Sequence, residues 1–109
     1  MNKNEYKIGT KVIKFDYDIR QTIKTTEEVL ILLEIPYSEN ELNNVYSFNK
    51  EGDINWRVNI KYDEYGINNK LPLEMISFID GALYASDFYG RRFKIAMKTG
   101  VSLEYDVVR

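Results

Sequence analysis

The chain has 109 residues, with 15 Lys and Arg against 17 Asp and Glu for a formal net charge of −2, and it contains neither histidine nor cysteine. Without them it lacks the commonest general base, the commonest transition-metal ligand and any thiolate, so Ser-His-Asp and Cys-His catalysis, ordinary zinc sites and a disulfide framework are excluded. The near-neutral balance leaves no electrostatic footprint for a nucleic acid or an anionic membrane.

A chain of this length makes one domain, residues 1–109, able to bury roughly two-thirds of its unfolded surface. No apolar run approaches the ~20 residues needed to span a bilayer. Met1-Asn2-Lys3-Asn4-Glu5 leads into polar sequence rather than the apolar segment of an export signal, so a cytoplasmic location is expected. The abundance of Asn, Lys, Ile and Tyr points to a low-GC, bacterial coding sequence.

Residues 1–9 read as a frayed start. From Ile13 the alternation is strict, with Ile13, Phe15, Tyr17 and Ile19 on one side and Lys14, Asp16, Asp18 and Arg20 on the other. That pattern predicts a half-buried strand with one solvated face. Gln21 to Thr26 either extends it or turns. Val29 to Ile35, stopped by Pro36, is short for a helix and rich in β-branched residues, and predicts a central strand. Val29, Ile31, Leu33 and Ile35 should line the main core. Leu30 and Leu32 then need a separate cover, from the chain's own loops and strands or from a subunit interface.

Tyr37 to Asn44 reads as a loop or a single helical turn. Val45 to Phe48 and Asp53 to Ile60 form a predicted hairpin closed by Lys50-Glu51-Gly52, pairing Phe48 with Ile54 and Tyr46 with Trp56. Lys61 to Pro72 is the longest stretch without periodicity, and ordered loops of this length are often functional.

Ile76 to Val108 reads as four strands. Asp80-Gly81 is a strong two-residue turn signal, because both central positions of the favoured turn need φ > 0, and it pairs Ile79 with Ala82, Phe78 with Leu83, and Ile76 with Ala85. A turn at Tyr89-Gly90 would set Tyr84 opposite Ile95. Lys98-Thr99-Gly100 fits a three-residue loop that pairs Met97 with Val101, Ile95 with Leu103 and Phe93 with Tyr105. On the opposite face Lys94 meets Glu104 and Arg92 meets Asp106, so a slip of one residue would spoil both faces. The whole predicts an all-β fold of about eight antiparallel strands in meander order, as a small barrel or a two-sheet sandwich with blade-like hairpins.

Asn44-Val45-Tyr46-Ser47-Phe48, Lys50-Glu51-Gly52 and Trp56 resemble the strand-turn-strand unit of quinoprotein-type (PQQ-like) β-propeller blades, as does Asp80-Gly81-Ala82-Leu83-Tyr84-Ala85 with Lys98-Thr99-Gly100 downstream. Gly52 and Gly100 are a blade length apart. Glu104 stands where a second docking tryptophan would fall, and about a blade and a half is present against the roughly 4–8 blades of a propeller. The resemblance therefore implies local strand geometry, with neither a closed propeller nor a quinone cofactor. The run Val29 to Pro36 followed by Asn44-Val45-Tyr46-Ser47-Phe48, Gly52 and Trp56 is also similar to small uncharacterised bacterial proteins, a likeness that implies no activity.

Among candidate sites, Asp16 and Asp18 share a strand face, a spacing able to seat a hard cation. Lys14 and Arg20 flank them, so a solvated charge ladder is expected and no metal. Tyr46, Trp56, Phe93 and Tyr105 fall on the predicted core face rather than on a base-stacking platform. Nothing places two acids around a cleft for glycoside chemistry. The candidate binding residues are Tyr62, Asp63, Glu64 and Tyr65, a tyrosine-rich acidic loop with Tyr65 as its anchor. Its competing reading is a turn with one or two tyrosines folded back on the core.

The expectation is a non-enzymatic intracellular protein-binding module, without cofactor, nucleic acid or membrane partner. A bacterial immunity or antitoxin-like role is one form of it. The alternative is a self-associating module that dimerises through the Leu30/Leu32 face or an edge strand.

Overall fold

The computed structural model describes residues 2–107 and is all-β among them, so no helix there is long and apolar enough to cross a membrane. Ten strands form three antiparallel sheets. β1 (Glu5–Ile8) and β2 (Lys11–Lys14) make a hairpin. β3 (Ile19–Lys24), β4 (Glu28–Leu33), β5 (Val45–Asn49) and β6 (Ile54–Arg57) make one four-stranded sheet in sequential order. β7 (Leu73–Ile79), β8 (Ala82–Asp87), β9 (Arg91–Ile95) and β10 (Ser102–Val107) make the other, also sequential. Val108, where the last strand was expected to end, lies outside the described residues. Each four-stranded sheet is a meander, as short loops favour, and the two pack as a sandwich rather than closing into a barrel.

The main core lies between the two meanders. Leu30, Leu32, Val45 and Trp56 face Ile76, Leu83, Ala85, Phe93 and Ile95, with Tyr62 and Ile67 contributed by the intervening loop. A second cluster lies on the far side of the first sheet, where Val29, Ile31, Leu33 and Phe48 meet Ile8 and Phe15 from the β1–β2 region. β4 is thus buried on both faces, which explains its unbroken apolar run.

Two buried or half-buried amides stitch the sheets together where no ladder can. Asn44 donates from Nδ2 to the carbonyls of Leu33 (2.9 Å) and Leu73 (2.7 Å), and its Oδ1 accepts from the Leu73 N–H (3.0 Å). Gln21 reaches across to Ile76, donating to its carbonyl at 2.7 Å and accepting from its N–H at 2.9 Å. Backbone groups of β7 that would otherwise be orphaned are satisfied from the opposite sheet.

Several expectations need correction. Of the start expected to be frayed, residues 1–9, Met1 lies outside the described residues, and Glu5 to Ile8 are ordered as β1, paired with β2. The strand from Ile13 to Arg20 is broken after Lys14 and resumes at Ile19, although Phe15 and its alternate neighbours do face inward. Val29, Ile31 and Leu33 line the smaller cluster, while Leu30 and Leu32 line the main core. Both leucines are fully buried within the chain, so that face is not available for dimerisation.

Registers also shift where polar side chains intervene. Phe48 does pair with Ile54, but a bulge then sets Tyr46 opposite Arg57 and Ser47 opposite Trp56, which sends Trp56 into the main core and leaves Tyr46 on the other face. Tyr84 pairs with Lys94, not Ile95, because Asp87 accepts from the N–H groups of Tyr89 and Arg91 and so lengthens the loop by one residue. Phe93–Tyr105, Lys94–Glu104 and Arg92–Asp106 pair as expected, but Ile95 faces Ser102 with Leu103 bulged out. Met97 therefore has no cross-strand partner in Val101, whose carbonyl accepts from Ala96 instead (2.9 Å). The Asp80-Gly81 hairpin holds throughout, with positive φ at both residues (51° and 78°).

Candidate functional site

The segment after β6 coils into a compact turn. Tyr65 N–H bonds the Lys61 carbonyl, Gly66 N–H the Asp63 carbonyl and Ile67 N–H the Tyr62 carbonyl. The coil sends Tyr62 and Ile67 inward and Asp63 and Glu64 outward. Tyr62 is only 5% exposed, meets the Phe93 ring edge-on at 5.8 Å and donates its hydroxyl to the Leu71 carbonyl (3.2 Å). Burial, and secondarily the Asp87 carboxylate, push its pKa up to about 12. Tyr65 is half-buried, stacks on Phe93 (6.2 Å) and Tyr105 (4.8 Å), and places its hydroxyl 3.0 Å from Ser102 Oγ. Asp63 reaches Lys70 at 3.4 Å on the open surface, a pair worth little in free energy.

The four candidate residues therefore separate. Tyr62 fills the core and Tyr65 lies against β10, while Asp63 and Glu64 alone project freely into solvent. Asp16 and Asp18 are both exposed, and among the described residues no group of three acids is gathered closely enough to hold a metal ion.

Tyr65 leads to a feature that residue types do not disclose. Ser102 is held inside by the Lys61 N–H and the Tyr65 hydroxyl, and this polar anchor throws Leu103 out as a bulge. From there β10 runs as the outermost strand of its sheet. Leu103 and Val107 are 59% and 53% exposed, and Tyr105 is partly so. No other strand among the described residues flanks its outer side past the bridge between Asn59 and Val101. The outer sheet face carries Tyr84, then Arg92 and Lys94, then Glu104 and Asp106, around a shallow groove of about 310 Å³. Arg92 lies over the Tyr84 ring at 5.1 Å and bonds Asp106 at 2.9 Å.

The other edges of the two four-stranded sheets are protected. β7 is bonded by Gln21 and Asn44, β3 bears Arg20 and Lys24, and β6 is only four residues long. These are the usual protections of an edge; β10 carries a bulge at one end and the acidic Glu104 and Asp106, but no strand among the described residues covers its outer ladder. Turn signals in the sequence specify which strands pair, and they carry no sign of which edge the stacked sheets leave open. A second exposed surface, Tyr37 with Phe88 and Tyr89, sits at the β8–β9 loop, where Tyr37 and Phe88 meet edge-on at 6.3 Å.

Fold and surface together define a small all-β sandwich with an open β10 edge. A family model described as a domain of unknown function, DUF7957, matches residues 1–107, and the chain belongs to that family. No curated protein and no solved structure matches the chain.

Proposed function

We propose that this chain is a non-enzymatic protein-binding module of the cell interior, whose target adds to the β10 edge beside the Tyr62–Tyr65 turn. The observation that carries the reading is the uncovered edge itself, with Leu103, Tyr105 and Val107 exposed along it. Strand addition to such an edge draws affinity from main-chain hydrogen bonds and specificity from alternate side chains. The absence of histidine and cysteine from the sequence supports a role outside catalysis. The exposure of Asp63 and Glu64 supports giving these two members of the tyrosine-rich turn the contact with a bound partner, and Tyr65 acts from beneath by packing on Tyr105. Inhibition of a cognate toxin in a bacterial cytoplasm is one concrete form of such a module.

The test is a quantitative pull-down with the wild-type chain, Val107→Lys on the edge and Val12→Lys on the exposed β2 as control. A partner retained by the wild type and the control but lost with Val107→Lys supports the reading. An identical set of partners for all three overturns it. The alternative, self-association through an edge strand, calls for a dimer in sedimentation equilibrium that Val107→Lys dissolves.

A further inference from the structure

Resting on the edge reading, we infer that the β10 edge is built to take an extended segment of another protein in which basic residues alternate with apolar ones. The argument is the order of rows across the outer face of the sheet. Tyr84 on β8 is covered by the Arg92 guanidinium on β9, and Arg92 is bonded to Asp106 on β10. Lys94 on β9 stands opposite Glu104 on β10. The outer face thus runs from the uncharged Tyr84 on β8 through a basic row on β9 to an acidic row on β10, where it stops. Glu104 makes no ion pair among the described residues, and Asp106 remains 58% exposed beyond its contact with Arg92. A strand laid along β10 sets its side chains directly opposite these two carboxylates, where opposite charge is favoured and like charge disfavoured.

The inner face gives the other half of the pattern. Tyr105 packs on Phe93 at 5.8 Å and on Tyr65 at 4.8 Å, and Val107 continues the same side of the strand. The incoming residues on that side therefore meet an aromatic and aliphatic wall. Basic above and apolar below, in strict alternation, is the complement of Glu104-Tyr105-Asp106-Val107.

The same rows disfavour a second copy of this chain. In an antiparallel pair of β10 strands the two-fold must sit on a residue to keep the faces matched. Centred on Tyr105 it opposes Glu104 to Asp106, centred on Glu104 it opposes Glu104 to itself, and centred on Asp106 it opposes Asp106 to itself. Each of these three registers sets acid against acid; a centre on Leu103 would lay the second copy over Val101 and Ser102, whose outer side Asn59 already bonds, and a centre on Val107 pairs only Val107 with itself among the described residues.

The experiment titrates three synthetic peptides into the isotope-labelled full chain and follows the backbone amides by NMR. They are acetyl-KVRVKV-amide, acetyl-EVDVEV-amide and the uncharged acetyl-TVTVTV-amide. The basic peptide is expected to shift the amides from Leu103 to Val107, and to bind roughly tenfold tighter than the acidic one. Glu104→Lys/Asp106→Lys should reverse that preference, and added salt should weaken it. Equal shifts at β10 from all three peptides would overturn the charge pattern and leave the open edge standing. Shifts confined to other strands, or none, would overturn both. A dimer at micromolar concentration that Val107→Lys abolishes would replace the inferred partner by a second copy.

Discussion

The indole of Trp56 lies against the backbone of Gly100, and its Nε1–H donates to the Met97 carbonyl at 2.6 Å. This contact locks the β9–β10 loop of one sheet onto β6 of the other. A Cβ at Gly100 would come closer than 3.0 Å to three atoms of the indole, and φ there is +77°. Gly100→Ala should therefore lose about 2–4 kcal/mol, from backbone strain and overpacking together. Gly66 has a comparable φ of +70° but nothing within 4 Å, so Gly66→Ala should lose only about 1–2 kcal/mol. Urea denaturation of the two variants separates ring contact from backbone strain. Equal losses would show that the indole yields.

Asn44 has no exposed surface and all its amide atoms are used. Removing the amide leaves the Leu73 N–H and two carbonyls without partners in the interior. Asn44→Ala should cost about 3 kcal/mol or more, against about 1–2 kcal/mol for Gln21→Ala at its half-buried site. Thermal and urea unfolding would check this, and a loss below 1 kcal/mol at Asn44 would mean that water replaces the amide.

β4 offers a sharper test of layering. Leu30 faces the main core and Ile31 the smaller cluster, and both are fully buried. Leu30→Ala and Ile31→Ala should each lose about 2–5 kcal/mol. A strand with one wet face would show the loss at one position only, so a near-silent Ile31→Ala would dismiss the second layer.

Tyr62 gives a pH dependence with a defined sign. Its folded pKa is raised from 10.0 to about 12, so the neutral phenol is the form the fold favours. The stabilising contribution is complete below pH 10 and is lost as pH climbs from 10 towards 12, on the order of 2 kcal/mol in all. Tyr62→Phe should remove this part of the alkaline slope while giving up about 1 kcal/mol at neutral pH, through the hydroxyl bond to Leu71. Urea midpoints of the two proteins across that range, with tyrosinate absorbance as a second readout, decide it. Parallel slopes would assign the alkaline loss to other groups.

The sequence alone determined whatever depends on neighbours along the chain. Asp80-Gly81 dictated the pairing from Ile79–Ala82 to Ile76–Ala85, because φ > 0 at two consecutive residues permits one kind of hairpin. The cross-strand charges of Arg92–Asp106 and Lys94–Glu104 followed from alternation once the turn was placed. Only the tertiary structure decided which side of β4 meets the main core, since a strand apolar on both faces reads the same either way. It also decided that Tyr62 and Tyr65 turn inward, because the Phe93 ring and Ser102 hydroxyl that receive them come from distant sequence. The open side of β10 belongs to the same category: hairpin turns specify which strands pair, whereas exposure of an edge depends on how finished sheets stack and what they leave uncovered.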